Sequence, residues 1–252
     1  VCAININPIA EQVDHFDFTY TSPGLTCSPQ QVIVRACMNS DCSQLYSDPV
    51  SLTLAPATGW TAQAPASLSN GNRLRFSGGS AVLQLRGNTV GARTLGVSAS
   101  QPTAKPNSQT TCSTANCQIN FADSGFLFDV PNLLANKELA NIELRAVRKD
   151  ISTQRCVPAF ETGTRRIQFW SGYSDPVTGT QPVQVNGTDV AGSAPGTGID
   201  LAFGPGAQAT MRVRYTDAGL MTLNASYAPT TGEEADLVMT GTDQFVSKPY
   251  GL

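Results

Sequence analysis

Apolar and polar residues alternate one by one along many short runs of this sequence, which limits the folds open to it. Val50, Leu52 and Leu54 are separated by single polar residues, and similar runs occur at 32–36, 83–86 and 211–214. A period of two puts successive side chains on opposite faces of a β-strand, as an antiparallel sheet with one wet face requires. Turn-forming Gly, Pro, Asn and Ser clusters separate the runs. The sequence therefore predicts an all-β fold, with 132–141 as its one helix-like window.

The runs occur twice in the same order. Phe16 corresponds to Phe126 at an offset of 110 residues, and segment 81–98 matches 209–226 at an offset of 128, with 6 identical residues. A repeat of this length indicates two copies of one folding unit. Short alternating strands with regular turn signals are typical of immunoglobulin-like (Ig-like) sandwiches. We predict two tandem Ig-like antiparallel β-sandwiches with short disulfide loops.

The repeat also predicts the domain boundaries. We assign residues 1–118 to a first domain, with 1–12 as an N-terminal extension, and residues 119–252 to a second. The offset between the copies grows late in the repeat, which indicates extra residues in the second copy. We expect an inserted loop or hairpin around 174–198, a segment rich in Gly, Pro and Thr.

Seven cysteines indicate the compartment. Cys37 and Cys42, and likewise Cys112 and Cys117, have a C-x4-C spacing that suits short disulfide loops better than zinc, whose ligands usually include C-x2-C pairs and histidines. The only histidine, His15, is far from either pair in the sequence. We predict both disulfides, with metal ligation as the alternative. Disulfides indicate an exported protein, in the periplasm, at the cell surface or outside the cell.

Composition excludes other classes. Only 14% of residues are charged and the net charge is -3, so there is no basic patch for nucleic acid. No apolar run approaches the roughly 18 residues that a membrane-spanning helix needs. The chain begins with Val1 rather than Met, and we expect it to be a processed protein or part of a longer one.

Catalytic candidates are few. His15, beside Asp14, is the only possible base for a Ser-His-Asp or a Cys-His arrangement, and there is no Gly-x-Ser-x-Gly motif. Cys156 precedes an apolar segment and is interpreted as a buried, inert thiol. Glu233 and Glu234 are interpreted as solvated turn residues. We predict that the chain is not an enzyme and has no cofactor.

Two kinds of binding site stay open. Asp123, Asp129 and Asp217 lie near predicted strand ends, so a structural calcium ion is an alternative, although no D-x-D-x-D-G loop is present. Aromatic residues make up only 7% of the chain. Trp60, Trp170 and Tyr173 are candidate ligand contacts, for example as a stacking platform for a sugar ring; the alternative is that they pack in the core.

Many short motifs resemble one bacterial family, the MSHA (mannose-sensitive haemagglutinin) pilus biogenesis protein of the Q type, from about Val13 to Leu252. The motifs are Val13-Asp14-His15-Phe16, Leu25-Thr26-Cys27-Ser28-Pro29, Val34-Arg35-Ala36-Cys37, Phe121-Ala122-Asp123-Ser124-Gly125-Phe126, Cys156-Val157-Pro158-Ala159-Phe160, Phe169-Trp170-Ser171 and Asp217-Ala218-Gly219. The resemblance implies an exported surface protein associated with type IV pili, usually longer than this chain.

The resemblance also bears on the remaining cysteines. Members of that family have a cysteine where this chain has Asn136, and that cysteine partners the one at Cys156. The resemblance therefore implies that Cys156 is the unpaired thiol. Cys2 and Cys27 are then left to pair, although Cys2–Cys156 or Cys27–Cys156 would fit the sequence equally well.

From these observations we predict a non-catalytic structural or display module of an extracellular, type IV pilus-associated surface protein. Its expected partners are other domains of a longer chain and pilus or cell-surface components, with no nucleic acid. One alternative is an adhesin module that binds carbohydrate or another surface. A second alternative is a filament subunit that adds residues 1–10 as a strand to a neighbour.

Overall fold

A computed structural model describes residues 12–235 and 237–249, and within these ranges the secondary structure is almost entirely β. The proposed donor strand at 1–10 and Cys2 lie outside the described residues. Within the described residues, no helix has the length and apolar character needed to cross a membrane.

The elements are numbered along the chain. They are β1 (His15–Tyr20), β2 (Gly24–Leu25), β3 (Gln30–Cys37), β4 (Val50–Ala55), β5 (Trp60–Ala62), β6 (Ser67–Ser69), β7 (Arg73–Phe76), β8 (Ser80–Leu85), β9 (Gly91–Thr94), β10 (Gly96–Gln101), β11 (Thr111–Cys112), a 3-10 turn (Ala115–Cys117), β12 (Gln118–Ala122), β13 (Ser124–Phe128), β14 (Leu133–Leu134), β15 (Leu139–Lys149), β16 (Cys156–Pro158), β17 (Gly163–Asp175), β18 (Gln184–Val185), β19 (Thr188–Asp189), β20 (Thr197–Phe203), β21 (Gln208–Arg214), β22 (Gly219–Tyr227) and β23 (Met239–Lys248).

The chain divides into two compact units. Unit 1 contains the described part of Val1–Thr21 together with Pro29–Gly87 and Ala92–Asn120. Unit 2 contains Ser22–Ser28, Asn88–Gly91 and the described residues from Phe121 onward. The boundary after Asn120 lies two residues from the predicted boundary after residue 118. The sequence did not predict that Ser22–Ser28 and Asn88–Gly91, which come before that boundary, belong to unit 2.

Unit 1 is a sandwich of two sheets. One sheet has the strand order β11-β1-β3-β8-β5 and the other β10-β4-β7-β6. All of these pairs are antiparallel except β1 with β11. The alternation predicted for β4 is present, because Val50, Leu52 and Leu54 are at most 2% exposed while the residues between them are half-buried. Burial of these apolar faces supplies most of the stabilisation.

Unit 2 is a second sandwich with an equivalent arrangement. Its sheets have the orders β13-β15-β21-β18-β19, with β16 added to β15, and β14-β23-β22-β17-β20. The order β1-β3-β8 in unit 1 corresponds to β13-β15-β21, and the pair β4-β10 corresponds to β17-β22. These are the strands that the sequence repeat aligns. The fold class predicted from the alternation and the repeat is therefore confirmed.

The extra residues of the second copy lie around β18 and β19. These two strands form a hairpin at Asn186-Gly187, and β18 pairs with β21 as β5 pairs with β8 in unit 1. The first strand of the hairpin, β18, therefore occupies the position that β5 has in unit 1. The additional length lies in the segment between Asp175 and Gln184 and in the second arm of the hairpin.

The helix-like window is not a helix. Its residues form β14 and the start of β15. Asn136 and Asn141 have φ values of 63° and 61°, in the left-handed region that interrupts a right-handed helix. The interpretation of this window as helix-like was wrong, because asparagine favours turn conformations at these two positions.

Segment Ser22–Ser28 is attached to unit 2 by strand pairing and packing. β2 pairs in parallel with the end of β12, with Phe121 opposite Gly24. Thr26 donates a hydrogen bond from its hydroxyl to Asp123. A Cβ atom on Gly125 would lie 2.7 Å from the carbonyl oxygen of Thr240 and 2.9 Å from Leu25, so this close approach requires glycine.

A disulfide joins this segment to β16. Cys27 is bonded to Cys156 with a Cα–Cα distance of 4.9 Å, and Leu25 and Val147 pack around it. The Cys2–Cys27 pairing and the interpretation of Cys156 as the unpaired, inert thiol are therefore wrong, and the bond is Cys27–Cys156, one of the alternatives that the sequence left open. The two cysteines are 129 residues apart, so no spacing rule could pair them, and only the placement of Ser22–Ser28 in unit 2 brings them together. Cys37–Cys42 and Cys112–Cys117 are bonded as their spacing predicts.

Glu234 is fixed by an ion pair, contrary to its interpretation as a solvated turn residue. The Arg165 guanidinium donates to it at 2.6 and 2.9 Å, and Tyr227 donates its hydroxyl at 2.8 Å. Arg165 also lies 4.7 Å from the centre of the Phe160 ring. The hydrogen bonds from Arg165 lower the pKa of Glu234. Its carboxylate thus stabilises the turn after β22.

We predict that replacing both Cys27 and Cys156 by serine lowers the free energy of unfolding of unit 2 by roughly 2–5 kcal/mol. The disulfide closes a very long loop in the unfolded chain, whereas Cys112–Cys117 closes a short one. Thermal and urea unfolding of the two double variants measures the difference. We expect a larger loss of unfolding free energy in the Cys27→Ser/Cys156→Ser variant than in the Cys112→Ser/Cys117→Ser control. A smaller loss would contradict the prediction.

We predict a pH-dependent effect for Glu234→Gln. The folded-state pKa of Glu234 is depressed, so its stabilisation is present above the pKa of the unfolded chain and disappears as pH falls through the folded value. Urea unfolding at pH 7 should show a loss of about 1–2 kcal/mol, and the loss should be smaller at pH 3. Glu143→Gln, which alters an exposed pair 3.5 Å from Arg145, is the control and should have little effect. A loss of the same size at both pH values would refute the account.

Candidate functional site

The three candidate ligand-contact aromatics have three different environments. Trp60 belongs to unit 1, and Trp170 and Tyr173 belong to unit 2. Trp60 is the first residue of β5 and only 6% exposed. Its indole Nε1 donates to the carbonyl oxygen of Pro56 at 2.8 Å. Trp60 is therefore a core residue, which leaves no free ring face for a ligand.

Tyr173 holds a loop in place. Its hydroxyl donates to the carbonyl oxygen of Gln181, and a Cβ on Gly179 would overlap its ring. The ring also meets Tyr215 edge-on, with centroids 6.5 Å apart. Burial, followed by the neighbouring Tyr173, raises the pKa of Tyr215 to about 12. This contact anchors the segment after β17, so Tyr173 has a structural role.

Trp170 lies on the outer face of a sheet. Along β17 the inward residues Ile167, Phe169 and Ser171 are buried, and Trp170 points to the opposite face, as its place in the alternation predicts. It is half-buried. Cross-strand register places Asn224 of β22 opposite Trp170, and Thr242 of β23 opposite Asn224. The indole therefore adjoins amide and hydroxyl side chains on the same face.

The rest of this face is also uncharged. We define the Trp170 face as the outward residues of β17, β22 and β23 around the indole: Gln168, Trp170, Gly172, Thr222, Asn224, Ser226, Thr240, Thr242 and Gln244. A Cβ on Gly172 would have nothing within 4 Å, so space is open beside the indole. Charge borders this face at one edge, because Arg166, which pairs with Asp200 at 3.3 Å, extends its guanidinium over Gly198, the residue opposite Gln168.

Hydrogen bonds hold several polar groups of the face in position. Ser174 and Thr222 hydroxyls are 2.9 Å apart, and the Gln244 amide donates to both at 3.3–3.4 Å. The Asn224 amide donates to the carbonyl oxygen of Trp170 at 3.5 Å, which leaves its own oxygen as an acceptor. An indole beside fixed amide and hydroxyl groups suits a ligand that combines C–H faces with hydroxyls, such as a sugar.

The catalytic candidates do not form a triad. His15 is 5% exposed and its Nδ1 lies 3.0 Å from Asp14. Across residues 12–235 and 237–249, no serine hydroxyl bonds to this ring, and Cys156 is held in a disulfide. The arrangement supplies a carboxylate and an imidazole without the nucleophile that a hydrolase needs.

The acidic calcium candidates are dispersed. Asp123 accepts a hydrogen bond from the hydroxyl of Thr26, and Asp217 accepts one from the backbone amide of Ala218. Asp129 lies near Asp243, whose pKa is raised mainly by burial and also by the charge of Asp129. Over the described ranges, the one group of three potential ligands consists of His15, Cys37 and Cys42. The sequence did not predict this group, because only strand pairing brings His15 to the cysteines.

The family follows from comparison with known domain families. The family described as "Domain of unknown function (DUF6701), first Ig-like domain" matches residues 109–242, more than half of the chain. The chain belongs to the DUF6701 family. A second family, also a domain of unknown function (DUF8613), matches residues 13–103. The DUF6701 Ig-like match thus covers most of unit 2, and the second match lies within the first half of the chain.

Solved structures with some similarity include bacterial adhesins. The D0-D1 domain of intimin is 13% identical with a TM-score of 0.37, over 92% of this chain and 97% of that one. The Yersinia pseudotuberculosis adhesin InvE is 16% identical (TM-score 0.28; 92% and 58% covered). Invasin, described as a bacterial integrin-binding protein, is 12% identical (TM-score 0.26; 93% and 40% covered). The DUF6701 chain thus spans only part of InvE and invasin. Comparison with curated proteins gave no match.

We predict stability losses of different size for the two tryptophans. Trp60→Ala removes a buried ring and should lower the free energy of unfolding of unit 1 by about 3–5 kcal/mol. Trp170→Ala removes a half-buried ring from an outer face and should cost less than half as much in unit 2. Calorimetric unfolding of both variants tests this, and equal losses would show that Trp170 is a core residue too.

Proposed function

We propose that this chain is a non-catalytic module of a bacterial surface protein that binds an uncharged carbohydrate on the Trp170 face. The observation that carries the proposal is the half-buried indole of Trp170 on a face of amides and hydroxyls without a charge. Aromatic rings bind the C–H faces of sugars, and amides and hydroxyls can exchange hydrogen bonds with sugar hydroxyls. A flat sheet face suits weak, repeated contacts with a glycan-coated surface.

The exported location is part of this proposal. Three disulfides, Cys27–Cys156, Cys37–Cys42 and Cys112–Cys117, support folding in an oxidising compartment. Two of them close short loops, which limits the motion of those loops. Such a scaffold suits a protein that displays a binding face outside the cell.

We also propose that the surface protein containing this chain is associated with type IV pili. Its support is the resemblance to the MSHA pilus biogenesis family carried by motifs such as Cys156-Val157-Pro158-Ala159-Phe160. Immunogold labelling of intact cells with an antibody against this chain tests it, because pilus-associated protein would label along or at the tip of pili. The filament-subunit alternative depends on residues 1–10, which lie outside the described residues.

We predict that the purified chain binds to glycans on an array and that Trp170→Ala abolishes this binding. Trp170→Phe should retain part of it, because a smaller ring still stacks. Glu143→Ala, on an exposed position of the other sheet of unit 2, is the matched control and should bind like the wild type.

Two outcomes would oppose the proposal. If the wild-type chain binds no glycan on a broad array, the result would favour a structural module that binds no carbohydrate. Binding that survives Trp170→Ala, with a folded protein by circular dichroism, would place the ligand elsewhere.

A further inference from the structure

The only histidine of the chain lies next to a C-x4-C disulfide. In the antiparallel pair of β1 and β3, His15 is directly opposite Cys37, and Cys37 is bonded to Cys42. One ligand atom from each of the three residues lies within 4.8 Å of the other two. Two thiolates and an imidazole are the ligand types that Zn²⁺ and Cu⁺ prefer.

The cross-strand register that makes this contact is fixed by a second pair. Two residues along the same strands, Arg35 of β3 donates to Asp17 of β1 at 2.8 Å, and Asp17 is directly opposite Arg35. His15 and Cys37 are therefore held by regular strand pairing that does not depend on the disulfide. The site would keep two of its ligands in place if the disulfide opened.

A carboxylate orients the imidazole. Asp14 Oδ1 lies 3.0 Å from His15 Nδ1, and Lys105 donates to the other oxygen of Asp14 at 2.7 Å. The hydrogen bond from Lys105, followed by that from His15, lowers the pKa of Asp14. Histidines that bind metals usually donate their second ring nitrogen to such a carboxylate, which fixes the tautomer. With Nδ1 engaged, Nε2 is the nitrogen left for a ligand.

The second C-x4-C disulfide provides an internal comparison. Cys112 and Cys117 have the same spacing and a similar Cα–Cα distance, 5.2 Å against 4.8 Å. Over residues 12–235 and 237–249, no group of three metal-ligating side chains includes them. Of the two loops, only the one next to His15 has the third ligand.

We propose that Cys37, Cys42 and His15 bind one thiophilic cation, Zn²⁺ or Cu⁺, when the Cys37–Cys42 disulfide is reduced. A dithiol reductant transfers two electrons and two protons, so that two protein thiols form and the reductant becomes a disulfide. On binding Zn²⁺ the two thiols release two protons, and His15 binds through the lone pair of a ring nitrogen. Water supplies the fourth ligand that Zn²⁺ requires. The disulfide form of the same reductant can reverse the step: it takes two electrons from the two thiolates and two protons from water, which restores the Cys37–Cys42 disulfide, regenerates the dithiol and releases the ion.

The cation can reach this site through the loop after β3. His15 and Cys37 are 5% and 0% exposed, whereas Cys42 is half-buried between the exposed residues Asp41 and Ser43. The two buried ligands lie on paired strands, and the third lies on a short loop at the surface. This arrangement lets one thiolate close over an ion that the other two ligands already hold.

The test uses the full chain and Zn²⁺. After reduction with a dithiol and removal of the reductant without oxygen, one equivalent of Zn²⁺ is added while the imidazole signals of His15 are followed by NMR. Because the chain has one histidine, these signals report this site alone. We expect them to shift in the reduced protein and in reduced Cys112→Ser/Cys117→Ser, but not in the oxidised protein or in reduced Cys37→Ser/Cys42→Ser.

Competition with a chromogenic chelator provides the affinity. Asp14→Asn, which weakens the hydrogen bond between residue 14 and the His15 imidazole, should reduce Zn²⁺ affinity by roughly tenfold. His15→Ala should reduce it further. Unshifted imidazole signals in the reduced, folded wild type would overturn the proposal, as would equal shifts in the Cys37→Ser/Cys42→Ser variant. Neither result would affect the carbohydrate proposal, which concerns unit 2.

Discussion

The register of the antiparallel strand pairs is the constraint on which the other features depend. Successive side chains point to opposite faces, so a slip of one residue would move every apolar side chain of a strand out of the core. The same register places Trp170 opposite Asn224 on an outer face and His15 opposite Cys37. Burial of the inward residues is strong enough to fix the register, and both candidate sites follow from it.

The Trp170 face uses positions that the core leaves free. The inward residues of β17, Ile167 and Phe169, are fully buried, and their neighbours on the outer face can vary without loss of the fold. Trp170 is one such neighbour. Substitutions on such a face can create a binding site without changing the core of the sandwich. This fits a module that displays a binding surface. The cysteine–histidine group of unit 1 differs, because His15 and Cys37 are themselves buried.

Local signals in the sequence predicted the faces of the strands, the repeat of the fold and the two C-x4-C disulfides. The strand faces and the two disulfides depend on residues close together in the chain, and the repeat is found by comparing two segments of the sequence directly. The Cys27–Cys156 bond and the nearness of His15 to Cys37 depend on pairing between distant segments, and no local pattern contains that information. Trp60 packs in the core, which was the alternative to ligand contact, and the three-residue strand that holds it was not predicted because Gly59 and Thr61 are typical of a loop. The outward position of Trp170 could be predicted from alternation, but its neighbours on β22 and β23 could not.

Cross-strand nuclear Overhauser contacts in the isotope-labelled protein test the register most directly. The account predicts backbone contacts that place Trp170 opposite Asn224 and His15 opposite Cys37. Contacts displaced by one residue, such as Trp170 opposite Leu223 or His15 opposite Ala36, would contradict it. The indole and the imidazole would then no longer lie beside the groups that define the two sites.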